Sequence, residues 1–483
     1  MKPRYRFAAA ATCGVMTAFS LPPWGLWPIA IIGLGIFLKL LDASSWKNRL
    51  ATAWFFWVGF YLIGLVWMID LTLPGWILAT PIEALIMALP FLLLPTFGIL
   101  KRVGFPAALI VGESVRWVIP FGGVPMSNLA LGQIDAPWVS VVRVSGPLLL
   151  IGILGLAAST FEAVLVRRFV SASMFLVTIV ATMIVASLAP TSIVDSLVQA
   201  GVVQAGGDLG TRAVSSDQAN VFDRHVSALD KHKMPMDLVV WSESSALSNG
   251  PLENSVHLSQ LSTISTARDT TIIANFSERD GNYFKNVSVV VAPKAGLLDR
   301  YEKTHLVPFG EYIPFRKVLE RFTDLSMVPR DALPGNKPGV MDSPFGPIGN
   351  AISFEIYFPE QTRRSINNGA RIITNPTLAS SYTSSAVPSQ SLASARLRAI
   401  ETSRWVLQAS TTGFSAIIDP DGKVIEKTGL KNQQVLSSMV ELRSGRTWAV
   451  SLGKTKITWF SMLLLAFIGC FFRLQSLTSP ARR

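Results

Sequence analysis

"NAISFEIYFPE", residues 350–360, joins a short apolar run to a Pro-led stretch with helical character. The apolar run ends at Ser353-Phe354-Glu355. A strand giving way to a helix at a polar step is the repeating joint of an α/β fold. Enzymes of that class often place a nucleophile there. Comparable runs recur on both sides: "AGVVQAG" (200–206), "DLVVW" (237–241), "TTIIANF" (270–276), "VSVVVAP" (287–293), "ARIITN" (370–375), "WVLQAS" (405–410) and "FSAIIDP" (414–420). Their Val and Ile content implies strands buried on both faces. Residues 217–231 and 389–404 read as amphipathic helices, and "DPDGKVIEK" (419–427) is a hairpin signal. The middle of the chain is therefore expected to be an α/β layered sandwich.

The rest of the chain is different in kind. Of 483 residues, 50% are hydrophobic and only 15% charged, against about 25% charged in a soluble protein. Mean hydropathy is positive, and the apolar residues concentrate before Pro190 and after Ile457. Seven candidate spans precede the α/β segment, at 7–22, 25–41, 51–69, 76–99, 105–120, 138–166 and 171–189; one follows, at 456–473. The expected architecture is an α-helical membrane bundle of about eight spans plus the sandwich, divided as 1–190, 191–455 and 456–483. The first span is short and can hairpin with the second across "LPPWGLWP". The fifth carries Glu113 and Arg116 and runs into "WVIPFGGVPMSN", as expected of an interfacial or cavity-lining segment. The N-terminus resembles a signal peptide, but "CGVMTAFSLPPWG" offers a poor cleavage site and further spans follow, so it is expected to remain.

A net charge of +12 invites a nucleic-acid reading, but the cations sit at the ends of apolar runs. Lys2, Arg4 and Arg6, then Lys47 and Arg49, Lys101 and Arg102, Arg167 and Arg168, and finally Arg473, Arg482 and Arg483 fall on one side when spans alternate. Arg116 is the exception. The positive-inside rule puts that side in the cytoplasm and the sandwich outside. No nucleic-acid partner is expected. The two cysteines, Cys13 and Cys470, lie in apolar runs near opposite ends, so the sandwich has neither a disulfide framework nor a thiol nucleophile. CxxC, HExxH, Walker and GxGxxG patterns are missing, so no metal or nucleotide cofactor is expected.

Three polar sites stand at strand ends. "DLVVWSESSA" sets Glu243 at the mouth of a buried strand, where it reads either as a functional carboxylate or as a first-turn helix acid. "YEKTHLVPFGEYIPF" holds Lys303 and Glu311 among aromatics, Pro and Gly: a loop folded against something, or a surface loop with a solvated lysine. "NAISFEIYFPE" holds Ser353 and Glu355, which also read as capping residues of a strand-to-helix turn.

Taken together, a Glu, a Lys and a nucleophile position after successive strands resemble the nitrilase superfamily, whose triad is Glu, Lys and Cys on an αββα sandwich. The order of spans, external domain and final span resembles the apolipoprotein N-acyltransferases, with "KTHLVPFGEYIPF" and "RLRAIETSRW…STTGFSAIIDPDG" the most specific stretches. The resemblance implies Glu243 as general base, Lys303 as oxyanion stabiliser and Ser353 at the nucleophile position. It implies Glu311 and Glu355 as accessory acids. Asn286, Phe354 and Trp241 fall on the substrate-binding side, Trp241 chiefly as packing. It further implies a bacterial cytoplasmic-membrane protein that moves an acyl chain from a phospholipid, commonly phosphatidylethanolamine, to the amino group of a diacylglyceryl-cysteine lipoprotein, without a diffusible cofactor. A monomer is the default expectation.

Two departures stand out. Where the family has Cys, this chain has Ser353; where the family has Asn-Asp-Ala-Trp-Phe-Gly, it has "NPTLASSYTSS" from Asn375, closer to the pattern of actinobacterial members. A thiol has a pKa near about 8.5; a hydroxyl is far less acidic and usually relies on histidine, of which His305 is the nearest in sequence. Three readings stay open: an introduced knock-out, a natural homologue with lost or changed activity that binds phospholipid or lipoprotein without turnover, and a working serine acyltransferase.

Overall fold

The chain alternates two kinds of segment, and the computed structural model separates them into two compact units, Met1–Pro190 with Ser451–Arg483, and Thr191–Val450. It describes residues 2–42, 45–208, 218–321, 325–326 and 328–478. Residue 217, Arg482 and Arg483, and the side chain of Arg473, all used in the sequence reading, lie outside the described residues.

The first unit is helical. Its longer helices are Pro3–Ala18, Trp27–Leu40, Trp46–Gly64, Leu73–Ala88, Ile99–Arg116, Pro147–Leu165 and Phe169–Ser187, and Trp448–Thr478 carries non-helical backbone at Gly453. Among the described residues, four are long and apolar enough to cross a membrane: Leu73–Leu93, Pro147–Leu165, Phe169–Ser187 and Trp448–Phe471. Helices Pro3–Ala18 and Trp46–Gly64 meet at glycine. A Cβ on Gly14 would strike the Phe56 carbonyl, and one on Gly59 the Ala11 carbonyl. Small residues allow this close approach, which lets dispersion hold apolar helices together.

Glu113 and Arg116 are both fully buried, whereas Val118, Ile119 and Phe121 of the stretch that follows are exposed. Arg116 Nε donates to Glu83 at 2.6 Å and its Nη1 to Glu113 at 2.8 Å, and its Nη2 reaches the Val124 and Met126 carbonyls. Three of the cations used as orientation signals are also internally paired. Arg102 binds Glu162 at 2.6 Å, Lys101 binds Asp42, and Arg49 binds the Phe91 and Leu94 carbonyls.

The second unit holds two sheets. In chain order the strands are β1 Ile193–Gln204, β2 Leu238–Val240, β3 Ala246–Ser248, β4 Thr271–Asp280, β5 Tyr283–Ala292, β6 Gly296–Glu302, β7 Val340–Met341, β8 Ile348–Asn350, β9 Ile373–Thr377, β10 Val406–Ser410, β11 Ala416–Ile418, β12 Val424–Lys427 and β13 Gln434–Ser444. One sheet runs β13-β1-β2-β4-β5-β6 with β3 beside β4; the other runs β12-β11-β10-β9-β8-β7. The centre of each is parallel: β1-β2-β4 in the first, β8-β9-β10 in the second.

Side-chain alternation explains the layering. In β2, Leu238 and Val240 join a core that also takes Ile348, Ile372, Leu407 and Ile417 from the other sheet. Val239 and Trp241 point the opposite way, into a core shared with Phe222 and Leu229 of helix Gln218–Lys231 and Leu258 and Leu261 of helix Val256–Arg268. Helices Pro359–Asn367 and Ala386–Thr402 pack on the second sheet. The order helix, sheet, sheet, helix is an αββα sandwich.

Candidate functional site

Parallel strands send the residues after their C-terminal ends to one edge of a sheet, where side chains are free of the ladder. Glu243 follows β2, Lys303 follows β6, and Asn275 and Asn286 lie in β4 and β5 between them. Lys303 is anchored by its own backbone, whose N–H donates to the Asn286 carbonyl at 2.9 Å.

The side chains meet. Lys303 Nζ donates to Glu243 Oε1 at 3.1 Å and to Glu311 Oε1 at 3.0 Å. Asn286 Nδ2 donates to the same two oxygens, at 2.8 and 2.9 Å. Asn275 Nδ2 donates to Asn286 Oδ1 at 2.8 Å, which fixes the amide orientation. Asn275 Oδ1 accepts from the Ser244 N–H at 2.7 Å and so holds the turn carrying Glu243. Lys303 is 1% exposed and Glu243 5%. Burial pushes the Lys303 ammonium down, but the Glu243 and Glu311 carboxylates outweigh it and hold the group above its ordinary value. The site therefore keeps a fixed positive charge in a dry place, where a charge acts strongly on a developing oxyanion.

Glu311 reaches this cluster because its loop folds back. Phe309 N–H bonds the Tyr312 carbonyl at 2.7 Å, Glu311 N–H bonds the Val307 carbonyl at 2.8 Å, and Val307 N–H donates to Glu311 Oε2 at 2.8 Å. Phe309 and Phe315 hold positive φ, at 62° and 54°. The solvated-lysine reading of this loop is thus replaced by a buried one.

Ser353 sits in a separate element that approaches from the second sheet. The strand expected over 350–354 ends earlier, at Asn350, and Ser353–Tyr357 forms a 3₁₀ turn. Ser353 begins it with φ of 51°, a conformation that costs a non-glycine residue about 1–2 kcal/mol and that recurs at functional turns. Phe354, also in that first turn, presents an amide with no acceptor inside the helix. Its ring packs on Phe358 at 5.1 Å. Ser353 Oγ lies 3.2 Å from Thr377 Oγ1.

Glu355 is fully buried and faces its scaffold. Oε1 accepts from Tyr301 Oη, the Thr304 N–H and the Thr304 hydroxyl, each at 2.8 Å, and from the His305 N–H at 3.1 Å. Oε2 accepts from the Ile352 N–H at 2.8 Å. Thr304, which Glu355 binds twice, is the residue next to Lys303. His305 stacks on Phe358 at 4.4 Å, beside the Ser353 turn.

Trp241 is 0% exposed and stacks on His225 at 4.8 Å, inside the core between sheet and helix. Sequence reasoning passed over Asn275, Thr304, Thr377 and His225. Asn275 left a usable signal: a lone amide in the apolar run "TIIANF" demands a buried partner. Among the described residues, no group of three or more His, Cys, Asp or Glu is placed to hold a metal ion.

Residues 199–450 match the carbon-nitrogen hydrolase family model, and residues 13–160 match that of the apolipoprotein N-acyltransferase N-terminal domain. A protein named apolipoprotein N-acyltransferase from Vibrio cholerae serotype O1 is 25% identical over 470 residues, covering 91% of this chain and 92% of that one. One of the same name from Mycolicibacterium smegmatis is 31% identical over 221 residues, 44% of this chain and 37% of that one. The solved structure of Saccharomyces cerevisiae Nit3, a member of branch 10 of the nitrilase superfamily, is 18% identical and covers 60% of this chain and 98% of its own, with a TM-score of 0.41.

Proposed function

The chain belongs to the carbon-nitrogen hydrolase family, and from that premise we propose that it is an acyltransferase that N-acylates lipoproteins. The acyl donor is a membrane phospholipid, phosphatidylethanolamine or a relative, and the acceptor is the α-amino group of a diacylglyceryl-cysteine. The observation that carries this is the dry Glu243–Lys303–Glu311–Asn286 cluster in a chain that also has an apolar helical unit. Two lipid substrates need a site held at a membrane; a soluble amide substrate does not.

In this reading Ser353 Oγ attacks the phospholipid ester carbonyl and its proton passes to Glu243. The ammonium of Lys303 and the N–H of Phe354 hold the oxyanion. The C–O bond to the glycerol then breaks, and the lysophospholipid leaves with the proton from Glu243. The lipoprotein amine attacks the acyl-Ser353 ester and gives one proton to Glu243; the acyl C–Oγ bond breaks as the amide forms, and Glu243 returns that proton to Ser353 Oγ. Asn286 and Glu311 orient Glu243 and Lys303. The catalytic unit faces away from the cytoplasm, as the distribution of cations between spans supports.

Mass spectrometry of the purified chain after incubation with phospholipid tests this. An acyl adduct at Ser353 that is lost to a diacylated lipopeptide, with the lipopeptide gaining the same mass, is the expected result. An adduct that forms only in Ser353→Cys restricts the native chain to binding. No adduct in either overturns acyl transfer.

A further inference from the structure

An oxygen nucleophile needs its hydroxyl aimed, because only one of its lone pairs can face the carbonyl while the proton faces the base. A thiolate has no proton to aim. Thr377 stands where it can do this for Ser353. Strands β8 and β9 are parallel, with Asn350 opposite Thr374. Three residues further along each chain come Ser353 and Thr377, so the register itself brings the two side by side at the sheet end. The crossing is pinned just before the pair. Ala351 N–H donates to the Thr374 carbonyl at 3.0 Å, and Asn375 Nδ2 donates to the Ala351 carbonyl at 2.5 Å. Thr377 pairs with Ser410 of β10, and the next residue, Thr411, bonds Ser242 Oγ at 2.8 Å and the Glu243 carbonyl at 3.4 Å. The end of the strand beside Thr377 thus reaches the turn that carries Glu243.

We propose that Thr377 is a positioning residue that prepares the Ser353 oxygen for attack. Its hydroxyl, 3.2 Å from Ser353 Oγ and 6% exposed, is fixed on a strand end; the proposed orientation has Thr377 as donor and Ser353 Oγ as acceptor. The donated bond occupies one lone pair, leaves a second for the carbonyl, and turns the Ser353 O–H toward the base. Thr377 keeps its own proton throughout: the Oγ–acyl bond forms, the Ser353 proton goes to Glu243, and the lysophospholipid leaves with it. The inference rests on the reading of Ser353 as the acyl-carrying nucleophile. It assigns that role to a site fitted to oxygen.

The test is the rate of acyl adduct formation at residue 353, followed by mass spectrometry over a range of phospholipid concentrations in micelles. Thr377→Val removes the hydroxyl at nearly constant volume, and Thr377→Ser restores it. Each is made in the native chain and in Ser353→Cys. In the native chain, T377V is expected to lower the saturating rate about tenfold or more, which is at least about 1.4 kcal/mol of barrier. The half-saturating phospholipid concentration stays within a few-fold, and T377S recovers most of the rate. In S353C the T377V loss is expected to be far smaller. Equal losses in the two backgrounds, or no recovery with T377S, assign Thr377 to the scaffold and overturn the proposal. An adduct in S353C with none in the native chain also overturns it, while acyl transfer as the family chemistry stands. No adduct in any variant overturns both readings.

Discussion

Thr304 donates both its backbone N–H and its hydroxyl to the same Oε1 oxygen of Glu355, each at 2.8 Å. The two residues come from different sheets: Thr304 follows β6 and stands next to Lys303, and Glu355 lies two residues after Ser353. One carboxylate therefore ties the residue next to Lys303 to the turn that begins at Ser353. Charge-assisted bonds to backbone amides suit this role, being short and directional.

Glu355→Gln tests that linkage. An amide oxygen in the Oε1 place keeps the Thr304 bonds, but the amide nitrogen then faces the Ile352 N–H, a donor against a donor. Stability is expected to fall by about 1–3 kcal/mol, the penalty for an unsatisfied buried group. Adduct formation is expected to fall more than the stability loss explains. Thermal unfolding of the purified variant, set beside its acylation rate at a temperature where it is folded, separates the two effects.

Lys303→Met leaves Glu243 and Glu311 sharing Asn286 with no cation between them. Removing one partner of a buried pair costs about 3–5 kcal/mol, and acyl transfer is expected to drop at least about a hundredfold with the oxyanion charge gone. Acylation rates of the purified variant, measured at a temperature where thermal unfolding shows it folded, check this; a rate near that of the native chain speaks against the account.

Much of this architecture is legible in the sequence. Strand cores such as "DLVVW" and "VSVVVAP" are buried on both faces, so their apolar runs are unbroken and easy to find. β13, Gln434–Ser444, escaped because one of its faces is wet and polar residues interrupt the pattern. β6 escaped for the same reason, its "GLLDRYE" being only half buried. The cluster of Glu243, Lys303 and Glu311 was legible as motif residues, but its closure by Asn275 depends on register between β4 and β5, which no local stretch encodes. The burial of Arg116 could not be read either. A charge in an apolar segment is compatible with an edge, a cavity or an internal pair, and here the distant Glu83, together with Glu113 and the Val124 and Met126 carbonyls, makes it an internal one.

His225 gives a pH prediction for the native chain. Its Nδ1–H donates to the Val221 carbonyl at 2.8 Å, which leaves Nε2 to accept from the Ser242 N–H at 3.3 Å, next to Glu243. Burial pushes the imidazole down to about 4, against the Val221 bond and with the help of Arg224. The unfolded value is about 6.5. Above pH 6.5 both states are neutral and this group's contribution is complete. As pH falls from 6.5 to about 4, the unfolded chain gains a proton that the folded chain refuses, and stability declines by up to about 3 kcal/mol. His225→Phe, which can still stack on Trp241, is expected to be less stable at pH 7 and to show a shallower decline on acidification. Parallel curves for the two proteins in chemical denaturation would count against the assignment.

Arg116 supplies the last test, in the helical unit. Its guanidinium serves Glu83, Glu113 and two carbonyls of the segment after its own helix, and it lies 4.5 Å from the centre of the Tyr61 ring. Glu113 Oε1 in turn accepts from the Leu129 N–H at 3.1 Å. This network supplies hydrogen bonds to Val124 and Met126 of the Gly/Pro-rich stretch and to Leu129 just beyond it, where regular secondary structure does not. Arg116→Met strands two buried carboxylates and is expected to cost about 3–5 kcal/mol, seen as a lower unfolding midpoint in micelles. Replacing Glu83, Glu113 and Arg116 together by apolar residues of similar size is expected to recover part of that loss, because no charge is left unpaired. Leu129 and the two carbonyls still lose their partners, so recovery is incomplete. A triple variant less stable than the single one would show that the network holds the segment through its hydrogen bonds more than through charge balance.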